Sequence, residues 1–498
     1  MKTIKYLMIA LAAIVMNACS KSGEELLKVI PEHPSMVVRV NLESLCTKHN
    51  LCNEDGKFVV PQDLGAVLDA HRSSYFARIA KSLLASGIDF ASHAYIFSAS
   101  PEFEVEMIAL LSDEGSAEKW VFNMCNENSM QSDKGIEYLF HDGVLYAIDN
   151  GILFIGAAKS SSNIAKLTET VSGMMKCEGK TLADNGTILK ALEGDADATA
   201  YLAVQPLCKH SATKHLKVAG ISVANVLSGM EIDALAMSIN LDKTLDMTAR
   251  VIAKPTSAYK MMFGSLVSKP SADFLKIMPA SLSTLLSVSV RGNVLLQMQP
   301  VANLIGTARA FPIIRDFDFK KIITTIDGPV AIGVSLDPDF IDEYNVVVAM
   351  ASTDTGAVIE QLNSVAAKYG KHPQKVGNES VYEYFNQRIT VGVLDNRFVY
   401  FKVNTDDIDN TPVADEDVHR LFAESPIGAS LTAEGYHVAL AFESSEKIAC
   451  SVQPLGDDAT MFVTLIEALC GIDTTRHIDE DYDSDFGVAA PIDEMTSF

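Results

Sequence analysis

The chain is short of basic residues: 40 Lys and Arg stand against 64 Asp and Glu, a formal net charge of −24. That balance excludes a nucleic-acid partner, whose phosphates demand a basic patch, and disfavours electrostatic docking onto anionic lipid. No apolar run approaches the ~20 residues that a membrane-crossing helix requires. No Cys-x-x-Cys spacing occurs among the eight cysteines. Also missing are a Gly-x-Ser-x-Gly elbow, a His-Glu-x-x-His pair and any Walker or dinucleotide glycine pattern, so no familiar catalytic motif is present. What is there is a composition 48% apolar and 21% charged over 498 residues, too rich in apolar side chains for a disordered or fibrous chain. Such a length suits two or three domains.

Residues 1–18 read as a leader, with Lys2 and Lys5 ahead of the apolar run Tyr6–Met16. The run ends Val15-Met16-Asn17-Ala18-Cys19, a small residue directly before a cysteine, which resembles a bacterial lipobox. In a lipobox the cysteine thiol, the one soft nucleophile of the segment, is acylated and becomes the new N-terminus. Cys19 is the expected lipidation site, residues 19–27 the tether, and the attached lipid the expected link to a membrane. No aspartate follows Cys19, so the familiar inner-membrane retention signal is missing and the outer membrane is the expected address. Seven cysteines remain, so at least one thiol is free. A Cys46–Cys52 bridge would close a short loop, and the alternative is that both sit as small buried hydrophobes.

Sliding the chain against itself exposes a repeated plan. Ile30-Pro31 and Ser35–Val40 match Met278-Pro279 and Ser283–Val288. The apolar runs Val105–Leu111 and Val346–Ala351 are each followed by a short polar stretch, Asp113-Glu114-Gly115 or Asp354-Thr355-Gly356. Val358, Ile359, Leu362, Val365, Ala366 and Tyr369 then trace one face of an amphipathic helix, and Trp120, Val121, Met124 and Cys125 trace its counterpart. Trp120 at that spacing predicts core packing. Glu137-Tyr138 matches Glu383-Tyr384, and Asp149-Asn150 matches Asp395-Asn396, each between strand-like runs. Asn150-Gly151 is a strong hairpin signal, and Asn396-Arg397 predicts a looser or longer turn. Period-two strands close each copy, around Asp242-Lys243 and Ser444-Ser445, with short helices near 258–266 and 459–470. The matches assign residues 28–270 to a first α+β repeat and 271–471 to a second. The first carries about 43 extra residues within 181–230, Thr199–Val204 included. Hairpins and occasional helices, without strict βαβ alternation, predict largely antiparallel sheet. Residues 472–498, with six charges in Asp479–Asp485, predict an acidic disordered tail.

The lipobox, the Ile30–Val40 segment with Asn41-Leu42-Glu43-Ser44-Leu45 after it, and the two-copy plan resemble an uncharacterised Bacteroidetes lipoprotein family, domain of unknown function 4836. The resemblance implies an envelope address and an architecture, and it brings no catalytic residues. The eleven histidines are scattered; His210 and His215, five apart, do not share a helical face. Asp406-Asp407-Ile408-Asp409-Asn410 lacks the glycine turn and distal glutamate of an EF-hand, and Asp415-Glu416-Asp417 reads as helix N-terminal acid. No catalytic, cofactor-binding or metal-binding residue is therefore expected. Two function classes follow: a non-enzymatic envelope lipoprotein that binds an envelope protein or glycan, and a glycan or peptide hydrolase whose carboxylates come from distant segments.

Overall fold

In the computed structural model the chain is described over residues 23–471, except 52–58, 73, 160–162, 210–216, 219–220, 299–300, 302–304, 307–314, 337–343, 385–386, 406–421, 434 and 456–459. The fold is mixed α+β, with thirteen helices and one large sheet among the described residues. None of those helices is long and apolar enough to cross a membrane.

The first half begins with β1 (Met36–Asn41), which runs into helix α1 (Leu42–Lys48). Asn41 starts that helix by accepting from the Ser44 backbone N–H at 3.1 Å. Helices α2 (Gln62–Ala70) and α3 (Tyr75–Ser82) lead to strands β2 (His93–Ser98) and β3 (Phe103–Leu110). Asp113 caps helix α4 (Glu114–Cys125) through the Ser116 N–H, so the polar stretch after β3 is a helix start. A meander follows: β4 (Gln131–Asp133), β5 (Ile136–His141), β6 (Val144–Asp149) and β7 (Ile152–Ala158). Asn150 and Gly151 between β6 and β7 both take positive φ, 51° and 74°, as a tight hairpin demands. Helices α5 (Ile164–Met175) and α6 (Gly186–Leu192), strand β8 (Ala198–Ala203), helix α7 (Val204–Lys209), the small hairpin β9 (Lys217–Val218) with β10 (Ile221–Ser222), and helix α8 (Val223–Gly229) come next. The half ends with β11 (Ile232–Leu241), β12 (Leu245–Ala253) and helix α9 (Ala258–Leu266).

The second half holds β13 (Thr284–Arg291), α10 (Gly292–Leu295), α11 (Phe319–Thr324), β14 (Ile326–Leu336) and β15 (Tyr344–Ser352). Asp354 caps α12 (Thr355–Lys368) through the Ala357 N–H at 2.9 Å. Then come β16 (Gln374–Val376), β17 (Glu379–Tyr384), β18 (Gln387–Leu394), β19 (Phe398–Val403), β20 (Ile427–Ala433), β21 (Tyr436–Phe442), β22 (Lys447–Pro454) and α13 (Met461–Gly471). The β18–β19 turn is one residue longer than the β6–β7 turn and uses Asp395 and Asn396 at positive φ.

Every pairing is antiparallel, and the order along the first half is β4-β5-β6-β7-β3-β2-β1-β8-β11-β12. Along the second it is β16-β17-β18-β19-β15-β14-β13-β20-β21-β22. β12 pairs β22, Leu245 opposite Val452 through Arg250 opposite Lys447, and fuses the halves into one ladder with β4 and β16 at its ends. Val40 and Val288 hold corresponding places: Val40 faces Ala94 and Ala198, and Val288 faces Val330 and Ile427. Tyr138 and Tyr384 do not. Tyr138 lies mid-strand opposite Ala147, whereas Tyr384 ends β17 opposite Gln387, because β18 is two residues longer than β6 and shifts the register. Residues 199–203, assigned from the sequence to the extra stretch, are interior sheet in β8, between β1 and β11.

Both faces of the first half are covered. On one face the sheet packs Val40, Ile96, Met107 and Ile155 against Leu45, Leu64, Leu83 and Trp120 from the helices. On the other, Val37, Phe97 and Phe154 pack against α5, α6 and the 3-10 turn Glu24–Lys28. Helix α13 crosses from the end of the second half into the first, placing Met461, Phe462 and Ile466 in the same core as Trp120. Its Phe462 ring stacks on His49 at 3.9 Å between centroids, 11° from parallel.

Candidate functional site

Several sequence-nominated positions lie outside the described residues: Cys19, Cys52, His210, His215, Asp406–Asn410, Asp415–Asp417 and the 472–498 tail. Among the described cysteines, Cys125, Cys177, Cys208 and Cys450 carry free thiols, while Cys46 is buried in the first-half core. Trp120 is buried, its indole N–H donating to Ser82 Oγ at 2.9 Å, so it packs the core as its spacing predicts.

Chemistry-bearing side chains are mostly absorbed by the fold. Asp197, at the start of β8, accepts from Ser44 Oγ at 2.6 Å, from Lys48 Nζ at 2.8 and 2.9 Å, and from the Leu241 N–H at 2.7 Å. It ties α1, β8 and β11 together. Glu106 is fully buried, and its two oxygens accept from the Ala99 and Ser100 N–H groups at 3.1 Å each. Burial pushes its carboxyl up to about 8, with the two backbone donors pulling it partly back. It staples the β2–β3 loop from beneath. His437 is buried between hydroxyls, with Nε2 3.3 Å from Ser430 Oγ and Nδ1 2.9 Å from Thr432 Oγ1. A hollow of about 320 Å³ between the β2–β3 loop and α5 has Glu102, Glu169 and Glu178 in its wall. Hydrogen bonding to Lys166 and Ser100 holds the Glu102 carboxyl below its usual range, and Glu169 pairs with Lys134 at 3.2 Å. No group of three or more His, Cys, Asp or Glu among the described residues could hold a metal.

The site that stands apart is apolar. Between α12 and the sheet lies a cavity of about 560 Å³. Val358, Leu362, Val365 and Ala366 form its helix wall. Met350, Ile389, Val391 and Phe401 form its floor, and Phe317, Phe319 and Ile322 its side. Lys371 and Glu383 are the charged residues of the lining. The two tyrosines there have their hydroxyls engaged: Tyr382 donates to Asn363 Oδ1 at 2.6 Å and Tyr369 to Asp316 Oδ2 at 2.7 Å. Asp316 also takes Lys368 Nζ at 2.5 Å, and the two donors hold its carboxyl below the usual range. The surface left facing the cavity is therefore hydrocarbon. Its volume is typical of small-molecule pockets.

Among the described residues, the helix wall of this cavity is thinner than its first-half counterpart. In the first half the same side of the sheet is filled by Trp120 on α4 and by α2, α3 and α13 above it. The corresponding face of α12 offers nothing larger than leucine until Tyr369 at its C-cap, whose hydroxyl is turned to Asp316. Sequence reading assigned that face to a helix but missed the cavity. The usable signal was that the second-half helix carries no tryptophan to match Trp120.

Among solved structures, the chain is similar to crystal form IV of TP0453, with 12% identity and a TM-score of 0.30, covering 45% of this chain and 79% of that one. It is similar to crystal form III of the same protein at 10% identity and 0.29, covering 48% and 86%. The DNA polymerase III subunit beta from Pseudomonas aeruginosa gives 9% identity and 0.13, covering 72% and 88%. None of these scores implies a common fold. No curated protein sequence matches the chain. The family described as Domain of unknown function (DUF4836) matches residues 27–402, three quarters of the length, and the chain belongs to that family.

Proposed function

We propose that the protein is a non-enzymatic cell-envelope lipoprotein, anchored in the outer membrane through an acylated Cys19, that binds an apolar molecule under α12. The observation that carries the binding reading is the cavity of about 560 Å³ with hydrocarbon walls. The hydrolase alternative finds less support. It needs an accessible raised carboxyl beside a second one, and the raised carboxyl among the described residues, Glu106, is sealed beneath backbone. The direct test is titration with N-phenyl-1-naphthylamine, whose fluorescence rises in apolar surroundings. Saturable binding that Leu362→Trp reduces at least tenfold is expected. A wild-type chain that leaves the dye dark rejects the site. For the anchor, Cys19→Ala should move the protein out of the membrane fraction, because acyl chains supply its hold.

The architecture is read as a tandem duplication of 28–270 and 271–471. Supporting it are the matching strand orders of the two halves and the corresponding neighbours of Val40 and Val288. On this reading the extra length of the first copy falls in two pieces that flank β8, and residues after 471 form an acidic disordered tail. Deleting that tail should leave the melting temperature within a few degrees, a shift of about 1 kcal/mol or less.

A further inference from the structure

The cavity floor continues onto bare sheet. Phe401 in the floor lies opposite Val348, Val348 opposite Ile332, Ile332 opposite Leu286, and Leu286 opposite Ala429, which faces Leu440. Leu286 is 44% exposed, Ile332 38% and Leu440 37%. In the first half the residues holding the places of Leu286, Ile332 and Leu440 are Val38, Ile96 and Met237, of which Ile96 is buried beneath the helices and the other two are half-buried. An apolar row kept on an uncovered face marks a surface that something else covers.

We infer that the occupant is a long unbranched acyl chain, with one end filling the cavity and the rest lying across β15, β14 and β13 along Val348, Ile332 and Leu286. The inference rests on the reading of the cavity as an apolar-ligand site. Three strand spacings from Phe401 to Leu286 measure about 14 Å. That is close to the ~15 Å spanned by one leaflet of bilayer hydrocarbon. The chemistry of the row selects against other classes. Along the same face the flanking positions are Val288, Val330, Val334, Val346 and Met350, with Thr284 as the one hydroxyl, so the row is almost wholly hydrocarbon. A sugar or peptide lying there would leave its polar groups unmatched, at a cost of kilocalories each, whereas an acyl chain has none to match.

The experiment uses the full chain with Cys19→Ala, so that no attached lipid competes, and displaces the bound dye with saturated fatty acids of eight, twelve and sixteen carbons. Affinity should rise about fourfold per added methylene up to the sixteen-carbon chain. Leu286→Glu and Ile332→Glu should each weaken the sixteen-carbon acid at least tenfold and leave the eight-carbon acid within twofold. Ile332→Thr serves as the milder variant if the glutamates disturb folding by circular dichroism. Equal affinity for short and long chains, or long-chain binding indifferent to the substitutions, overturns the inference while the cavity reading stands. Should the substitutions dissociate a dimer in ultracentrifugation without changing acyl affinity, the row is a self-association face and the inference falls. A chain that binds no dye at all removes the cavity reading as well.

Discussion

The helix-covered face of the sheet is built twice, and the two versions end differently. Over β2, β3 and β7, α4 lays Trp120 and Val121 onto Ile96, Met107 and Ile155, and α2, α3 and α13 close the remaining space. Over β14, β15 and β19, α12 lays Val358, Leu362 and Val365 onto a floor that they do not fill. The strand pairings are alike, so the ladder does not determine which half is hollow. Among the described residues, the halves differ in side-chain volume on one helix and in the helices stacked outside it. A protein can thus keep one half as a dense scaffold and hold a cavity in the other without altering the sheet.

The strongest test of that contrast is to empty the filled side. Trp120→Ala should cost about 4 kcal/mol, because it removes a buried aromatic from a packed core. Leu362→Ala, beside space that is already empty, should cost about 1 kcal/mol. Urea-unfolding midpoints measure both, and equal losses would break the comparison. Next in size is Asp197→Ala, which strands Lys48 and the Leu241 N–H, at about 3 kcal/mol. The second half has Pro426 at that place, where its carbonyl accepts from Ser289 N–H just as the Asp197 carbonyl accepts from Asn41 N–H. Pro426→Ala should stay within about 1 kcal/mol by the same measurement.

Glu106 supplies a pH test confined to the filled half. Its folded pKa, about 8, lies above the ordinary carboxyl value of 4.5, so the folded state holds the proton more tightly. The stability it contributes is complete below pH 4.5 and is lost as pH rises through about 8. Across that window the stability of wild type relative to Glu106→Gln should fall by about 1.4 kcal/mol per pH unit, read from unfolding midpoints at stepped pH. A gap constant with pH would mean that Glu106 ionises in the fold. The smallest expected effects have opposite signs. Ala117→Leu overpacks the fully buried face of α4 and should cost about 1 kcal/mol, whereas Ala366→Leu fills cavity and should gain up to about 1 kcal/mol. Thermal melts of the two variants decide it.

Much of this was legible from residues alone, where local chemistry settles the outcome. Asp113 and Asp354 before glycine-containing helix starts cap α4 and α12, and Asn150-Gly151 turns β6 into β7. The alternation of Leu235, Met237 and Ile239 becomes β11, and that of Leu245, Met247 and Ala249 becomes β12. What escaped depends on distance in sequence. Thr199–Val204 has no strong period-two pattern, and its place between β1 and β11 is fixed by partners far along the chain. Tyr138 and Tyr384 share a dipeptide motif, yet two added residues in β18 move the pairing, and similarity of letters does not reveal register. The cavity escaped because an apolar helix face predicts burial and is silent on how much space the neighbours leave.

The placement of α13 bears on how the chain reaches this state. The stacked rings of His49 and Phe462 come from opposite ends of the described chain, and Met461, Phe462 and Ile466 complete a core begun by Val40 and Leu42. During synthesis from the N-terminus, the first half therefore waits with that core unsealed until α13 has emerged. Folding unit by unit, the usual route for a long chain, cannot finish its first step here. Closure at such sequence separation makes for slow, late-committing kinetics. Until α13 docks, the apolar surface around Val40, Leu42 and Trp120 stays partly open, so association with other chains competes with closure.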